Sequence, residues 1–497
     1  MKSLWPWWAF FLLLFSALIF PIQDGDIFMY LAIARESLAL GRIPALDPFL
    51  YTLRDWHILH EWLSYFLWYG AYLAGGFVGV ILFKAILWVI TFFWAPIQKG
   101  LRQSTDPIIF LILFLAVKAS SHRFIEKSSL FSDLLSVIVL SVLLQENPAW
   151  KKWRWIFPVL FLLAVNLHPG FVVALAWLGI YIFCQRLEKK WPRAEVWQTF
   201  IFSLLACLVN PLGVQGLIYP FHTVLKEEWN LYRTMNYEWL PTFSGPFLQT
   251  WEVRSLIVLI FLVALMLISK TLKQGRKSIF SWAIFTVLLY LSISANRFIA
   301  TASLGFCVLG ISAESSILQE FFKKLMKKNF KLENVKIKNA LIMMIGLFFL
   351  AGAIRIISTG YSTAAGPRSF KFGVDEEMMP TQAVQSLKLK MQSSQDLGRI
   401  FNEFGWGSYL AWELNTPQSL FIHGHIDDPR FLSESYYSIG HSQEVFDQTM
   451  AKYQVRYLFL DIAKLKGPPQ PKLLSYLGAW DLIYQDAWAV IYKRKAL

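Results

Sequence analysis

The sequence predicts a polytopic α-helical membrane protein with about eleven transmembrane helices and a C-terminal extracytoplasmic α/β domain. Three observations predict it. The 497 residues are 56% hydrophobic and only 16% charged, with a mean hydropathy of +0.45, which is more apolar surface than one soluble core can hide. The apolar residues come in blocks, several of them about 18 residues or longer with few charges, the length a helix needs to cross the hydrocarbon layer. After about residue 358 the blocks give way to short apolar runs alternating with helical patterns.

The elements follow in order. Leu4–Phe20, after a lone Lys2, is rich in Trp and Phe and lacks a small-x-small cleavage site, so it reads as a retained first span rather than a signal peptide. The basic loops Lys99–Arg102, Lys151–Arg154, Arg186–Arg193, Lys270–Lys277 and Lys323–Lys338 are placed in the cytoplasm with the N-terminus. The spans are then roughly 4–21, 77–97, 106–120, 129–146, 154–167, 170–186, 197–214, 253–269, 279–294, 298–315 and 339–357. Residues 59–75 are apolar too, but a span there would break the alternation, so they read as a helix on the outer interface. Residues 27–40, with Phe28, Leu31, Ile33 and Leu38 among polar neighbours, read as another. The outer segments become 22–76, 121–128, the turn 167–170, 215–252, 295–297 and everything after about 358. Two domains result: a transmembrane domain, 1–357, that includes the outer loop 22–76, and an extracytoplasmic domain, 358–497. In the latter, Arg399–Phe401, Leu420–Ile422, Tyr457–Leu460 and Trp488–Tyr492 read as strands and Gln443–Tyr453 as a helix.

The formal charge of +14 does not indicate nucleic acid, because the basic residues sit in short loops where the positive-inside rule puts them. Cys184, Cys207 and Cys307 fall in apolar segments and read as small buried hydrophobes, with neither disulfide nor metal spacing. Walker, His-Glu-x-x-His, Gly-x-Ser-x-Gly and Cys-x-x-Cys motifs are absent from the sequence, so ATP-driven transport, zinc proteolysis and serine hydrolysis have no support.

Polar residues near the outer ends of the spans form the candidate site. The first outer loop contributes Asp24, Asp26, Asp47, His57, His60 and Glu61. Later outer segments contribute His122, Arg123, Glu126, Asn166, His168, Asn210, Glu238 and Arg297. Charged groups at membrane depth are costly, so a set of them on one face points to a site. Taken singly, each has a plainer reading: a solvated loop charge, a snorkelling arginine, or a turn residue. A carboxylate at Asp24 or Asp26 could act as a general base or hold a cation.

The run Asp26-Ile-Phe-Met-Tyr30, followed by Arg35-Glu-Ser-Leu and Gly41, resembles the first periplasmic loop of GT-C glycosyltransferases. In the lipid A aminoarabinose transferases and protein mannosyltransferases of that superfamily, an acidic residue after the first span is followed by an aromatic four residues on, then a helix and a glycine. A closer resemblance, over nearly the whole chain, is to a group of bacterial GT-C-like membrane proteins. It is carried by Asp24-Gly-Asp26, Pro44, Asp47-Pro-Phe49, Tyr51-Thr52, His60-Glu-Trp-Leu63, Asn166-Leu-His168, Asn210-Pro-Leu-Gly213, Glu238-Trp-Leu-Pro241, Arg297, Phe401-Asn402, Trp406-Gly407 and Tyr409-Leu410. There are departures. Where that group often has Asp-Gly-Arg, this chain has His423-Gly-His425, which puts a substrate role for those positions in doubt. Ile27 replaces the second residue of the mannosyltransferase Asp-Glu pair, and the Trp-Trp-Asp motif of oligosaccharyltransferases is missing, so N-glycosylation is not assigned.

The resemblance implies a hexosyl- or pentosyltransferase of a bacterial cytoplasmic (inner) membrane. It would move a sugar, with inversion, from a polyprenyl-phosphate-linked donor to a glycan, lipid or protein acceptor outside the cytoplasm. Asp26 is the expected base, with Asp24, Asp47 and Glu61 as further catalytic candidates. Arg123, Arg297 and His168 are expected to hold the phosphate, and Tyr30, His60, Asn166 and Glu238 to line the substrate site. No residue is assigned as a metal ligand, and a divalent cation, Mg or Mn, is the one cofactor considered. Two other readings stand beside this one: a transporter or flippase of a lipid-linked saccharide, and a non-catalytic scaffold of envelope assembly.

Overall fold

Apolar segments in a membrane protein become helices because a helix satisfies all its backbone hydrogen bonds internally. The computed structural model describes residues 4–53, 60–101, 106–146, 148–225, 237–274, 279–313, 335–394, 398–425, 428–463 and 473–495. A helix occupies each of the eleven apolar blocks: α1 (Trp5–Leu18), the second arm of α3 (Trp62–Lys99), α4 (Pro107–Ser120), α5 (Ser129–Leu143), α6 (Trp150–Leu167), α7 (Phe171–Leu187), α8 (Ala194–Ala206), α10 (Trp251–Gln274), α11 (Ile279–Ser294), α12 (Ile299–Ala313) and α13 (Val335–Thr359). Between them lie α2 (Asp26–Leu40) and α9 (Val214–Leu225). Among the described residues, Trp62–Lys99, Trp251–Leu272, Asn296–Ala313 and Asn339–Thr359 are long and apolar enough to cross a membrane. Others, such as α1 and α7, are apolar but shorter. The basic stretch expected from Lys323 onward lies outside the described residues up to residue 334, as does His57.

α3 is broken at Gly75–Gly76, where Gly76 has φ 58° and ψ −147°, a backbone state open only to glycine. The break falls where the sequence divides an extra apolar stretch, 59–75, from a span beginning at 77.

The described residues form two compact units, one from 1–21, 81–226 and 233–372, the other from 22–80 and 373–497. This differs from a division at 357/358 that leaves the first outer loop with the spans. The reason is main-chain pairing. The Ile22 N–H donates to Gly373 O at 2.9 Å, and the Asp375 N–H donates to Ile22 O at 3.0 Å. Further along, Gln418 N donates to Pro48 O (2.9 Å), Leu420 N to Phe49 O (3.0 Å) and Tyr51 N to Leu420 O (3.2 Å). Hydropathy cannot report such non-local pairing.

In the first unit α1 packs on α13, and small residues permit close approach, as membrane helix pairs require. A Cβ on Gly346 would sit 2.2 Å from the Trp5 ring. Phe10, Phe93, Phe110 and Phe349 form an aromatic core, with Phe10–Phe349 centroids 5.4 Å apart. The fully buried Lys84 pairs with the fully buried Glu126 at 2.7 Å, and its ammonium lies 3.6 Å from the centre of the Phe20 ring.

After the short antiparallel pair β1 (Tyr361–Thr363) and β2 (Gly366–Arg368) of the first unit, β3 (Arg399–Asn402), β4 (Val455–Asp461), β5 (Trp480–Gln485) and β6 (Ala489–Arg494) of the second unit form a mixed sheet in the order β3-β4-β6-β5. β3 and β4 are parallel, and the other two pairs are antiparallel. The expected α/β character is present. The segment around Leu420, expected as a strand, forms isolated bridges to Ile400 of β3 and to the first-loop residue Leu50. α2 packs on α14 (Gly407–Leu414), with Phe28 edge-on to Tyr409 at 4.7 Å. Arg35 stacks over Trp412 at 4.1 Å and donates to the Trp412 carbonyl at 2.8 Å. Of the apolar residues of α2 expected to lie on the lipid interface, Phe28, Leu31 and Ile33 are buried in protein and Leu38 is exposed.

Breaking a buried ion pair leaves one charge unsolvated, at a cost of about 3–5 kcal/mol, whereas replacing both partners with apolar groups is near neutral. Lys84→Met is expected to lower the thermal unfolding temperature in detergent sharply, and Lys84→Met with Glu126→Leu to recover most of the loss. A single variant as stable as the double would contradict this.

Candidate functional site

The predicted residues fall into two sets, one in each unit. In the second unit the site is built on the start of α2. The Asp26 N–H donates to the Asp24 carboxylate at 2.8 Å, a local turn that starts the helix. Asp24 thus closes the helix N-terminus, and Asp26 occupies its first turn, where unpaired N–H groups favour negative charge. Gly41, with φ 65°, ends α2 and returns its N–H to Leu38 O. One turn after Asp26, the Tyr30 ring stacks on Tyr65 at 5.0 Å. His60 and Glu61 lie at the start of α3, 3.4 Å apart, with Glu61 buried.

Two histidines complete this set. His425 places Nε2 3.8 Å from Asp26 Oδ1, and its ring meets the Tyr30 ring edge-on at 5.2 Å. The Gly424 backbone approaches Asp26 so closely that a Cβ there would lie 3.2 Å from Oδ1. Behind it, buried His423 holds Nε2 2.6 Å from Asp47 Oδ2. The Nδ1 of His423 accepts the His425 N–H at 3.2 Å, which leaves the ring proton on Nε2 for Asp47. Asp47 also accepts the N–H groups of Phe49 (2.8 Å) and Leu50 (3.0 Å). Burial alone would raise the Asp47 carboxyl, but His423 and these two N–H groups outweigh it and hold it below its ordinary value. Burial pushes the His425 imidazole below its ordinary value, and His423 and His60 add to this against Asp26 and Glu61.

In the first unit the turn Ser121–Arg123 after α4 carries Arg123, whose Nη1 lies 2.6 Å from Glu238 Oε1. Lys127 reaches the same oxygen at 2.8 Å. Arg297 stacks over Trp239 at 4.3 Å, and the Asn296 N–H donates to Leu240 O at 2.9 Å, which ties the two loops together. Burial opposes the Glu238 charge, yet Arg123, Lys127 and Arg297 hold this carboxyl well below the usual carboxylate range. Arg368 braces the turn. It donates to the carbonyls of Ser121 and, at 3.1 Å, His122, and lies over the Phe20 ring at 4.0 Å. Burial, with Arg123 and Arg368 nearby, lowers the His122 imidazole to about 3, so it is neutral at physiological pH.

Two predicted residues do structural work. Asn166 donates to the carbonyls of Leu162 (2.9 Å) and Val209 (3.0 Å). His168 Nδ1 accepts the Gly170 N–H at 2.9 Å and sits 2.9 Å from Ser132 Oγ, which fixes the α6–α7 turn. Among the described residues no three His, Cys, Asp or Glu side chains converge as a metal ion requires, so no step through a divalent cation is derived. Sequence reasoning did not place Lys127, Tyr65, His423 or His425 in the site. The His423-Gly-His425 doublet is visible in the sequence, but its partners Asp47 and Asp26 are distant along the chain.

This arrangement of helices and mixed sheet is a fold also found, over nearly the whole chain, in several solved structures of low sequence identity. Among the solved structures it resembles is ArnT from Cupriavidus metallidurans bound to undecaprenyl phosphate, at 12% identity and a TM-score of 0.52, covering 98% of this chain and 97% of that one. Another is the archaeal oligosaccharyltransferase AglB from Archaeoglobus fulgidus in complex with an inhibitory peptide and a dolichol-phosphate, at 11% identity and a TM-score of 0.61, covering 99% and 74%. A third is the Archaeoglobus fulgidus oligosaccharyltransferase in complex with Zn and sulfate, at 11% identity and a TM-score of 0.54, covering 99% and 73%. No protein-family model and no curated protein sequence matches the chain. The apolar helices and these relatives make it a multi-pass membrane protein.

Because the Asp47 carboxyl is lowered in the folded state, its stabilising contribution is complete above the unfolded value of about 3.9 and is lost as pH falls toward the folded one. Asp47→Asn is therefore expected to destabilise the protein most at pH 6–7, with the gap to the wild type narrowing below about pH 4. Tryptophan-detected denaturation at the two pH values measures it.

Proposed function

We propose that the chain is an inverting glycosyltransferase of a bacterial cytoplasmic membrane. It moves a hexosyl or pentosyl group from a polyprenyl-phosphate-linked donor to an envelope acceptor on the extracytoplasmic face. The observation that carries the reading is Asp26: a part-exposed carboxylate in the first turn of a buried helix, within a chain that shares the GT-C fold. Relatives of that fold hold undecaprenyl phosphate and dolichol-phosphate, which supports the same donor class here. Phosphate is a good leaving group and needs little acid assistance, so the chemical demand falls on the acceptor. Asp26 removes the proton of the acceptor hydroxyl or amine as that atom attacks the anomeric carbon.

A phosphate-linked donor also needs cations to take up the charge that develops on its leaving group. The convergence of Arg123, Lys127 and Arg297 on the single carboxylate of Glu238 supports that role. Asn166 and His168 then serve the fold rather than the donor.

Asp26→Asn is expected to lower kcat by about 10²–10⁴-fold without loss of expression or of polyprenyl-phosphate binding. The assay is sugar transfer from undecaprenyl-phosphate-linked hexoses and pentoses by the purified protein. Full activity would remove Asp26 as the base, and lipid-donor translocation in liposomes without product would favour the flippase reading. Arg297→Ala should instead raise the donor KM by roughly 10–100-fold, the loss of one charge-assisted contact.

A further inference from the structure

We infer that His425 is the proton partner of Asp26: it positions the carboxylate and receives the proton that Asp26 takes from the acceptor. The inference rests on the reading of Asp26 as the base. Its own evidence is geometric. His425 Nε2 is shut off from solvent, makes no hydrogen bond among the described residues, and points at Asp26 Oδ1 from 3.8 Å. That gap is too long for a direct hydrogen bond and closes with a small rotation of either side chain.

The ring is held from several sides. Tyr30, from the same helix as Asp26, meets it edge-on, and Tyr65 from α3 lies 6.5 Å away. The backbone beneath it is fixed by the His425 N–H bond to His423, and His423 is locked by buried Asp47. The result is a pair of imidazoles flanked by two carboxylates, in the order Asp47–His423–His425–Asp26, with Asp47 and His423 376 residues apart in the chain. The charged or titratable groups that face the ring are Asp26 from α2, His60 and Glu61 from the start of α3, and His423 from its own loop. Their balance, dominated by burial, keeps the imidazole neutral and able to accept.

The proton balance is simple. The acceptor O–H or N–H bond breaks, and its electron pair forms the bond to the anomeric carbon. The bond from that carbon to the phosphate oxygen breaks, and its pair leaves on the phosphate. The proton moves to Asp26 and then to His425 Nε2, which restores the carboxylate beside an imidazolium until water takes the proton.

His425→Gln keeps a polar side chain but cannot hold the proton. With undecaprenyl-phosphate-linked hexoses and pentoses as probes, this variant should lose about 10²-fold in kcat at unchanged donor KM, and the acid limb of its kcat–pH profile should fall from two protonations to the one that belongs to Asp26. Wild-type kcat with the acid limb intact would overturn the inference while leaving Asp26 as the base. Inactive Asp26→Asn beside active His425→Gln is that outcome, whereas activity in both overturns the base assignment as well. An NMR titration of the histidine rings gives a second readout that needs no substrate and no folded His425 variant. Asp26→Asn should lower the His425 pKa by removing its neighbouring carboxylate, and an unchanged value would overturn the pairing.

Discussion

The main-chain hydrogen bonds between Pro48–Tyr51 and Gln418–Leu420 are the constraint on which the second unit depends. A sheet edge buried without partners would leave several N–H and C=O groups unsatisfied, so this pairing is tightly specified. It fixes Asp47 one residue before the paired stretch, and Asp47 in turn fixes His423. The Gly424–His425 turn follows directly and closes against the start of α2. The position of Asp26 is thus set as much by a strand-like contact as by its own helix.

The first unit obeys a different constraint. There the cost of an uncompensated charge decides which polar groups persist. Lys84 is tolerated in an apolar helix because Glu126 and the Phe20 face receive its charge. Arg368 shares the same aromatic ring and donates to the carbonyls of Ser121, which also accepts the Phe124 N–H at 3.3 Å, and of His122. From this braced turn the Arg123 guanidinium meets Glu238 at 2.6 Å.

Much of this was legible from residue order. Apolar runs located eleven of the helices but not α9, because a helix needs only local bonds and an apolar run marks it only where it is long enough to stand out. Asp26, Tyr30 and Gly41 were picked out by the family resemblance, and one helix carries all three: the carboxylate in its first turn, the aromatic one turn on and the glycine at its C-terminal end. The partnership of residues 22–80 with 373–497 was not legible, because edge pairing over hundreds of residues leaves no period in the sequence. The same holds for His423 and His425, whose divergence from the related motif suggested absence of a role rather than an alternative one. Lys127 belongs to no motif in the sequence, and its place in the cluster depends on Glu238, 111 residues further along the chain.

The pair between Asp47 and His423 spans 376 residues, and that separation has a consequence for biosynthesis. At about 5–20 residues per second, the ribosome delivers His423 roughly 20–75 s after Asp47. During that interval the first loop has neither its sheet neighbour nor its buried imidazole. It must wait, exposed to proteases and to premature association, while the helices between are threaded into the bilayer. The carboxylate that appears first in the sequence is thereby among the last groups to acquire its native surroundings.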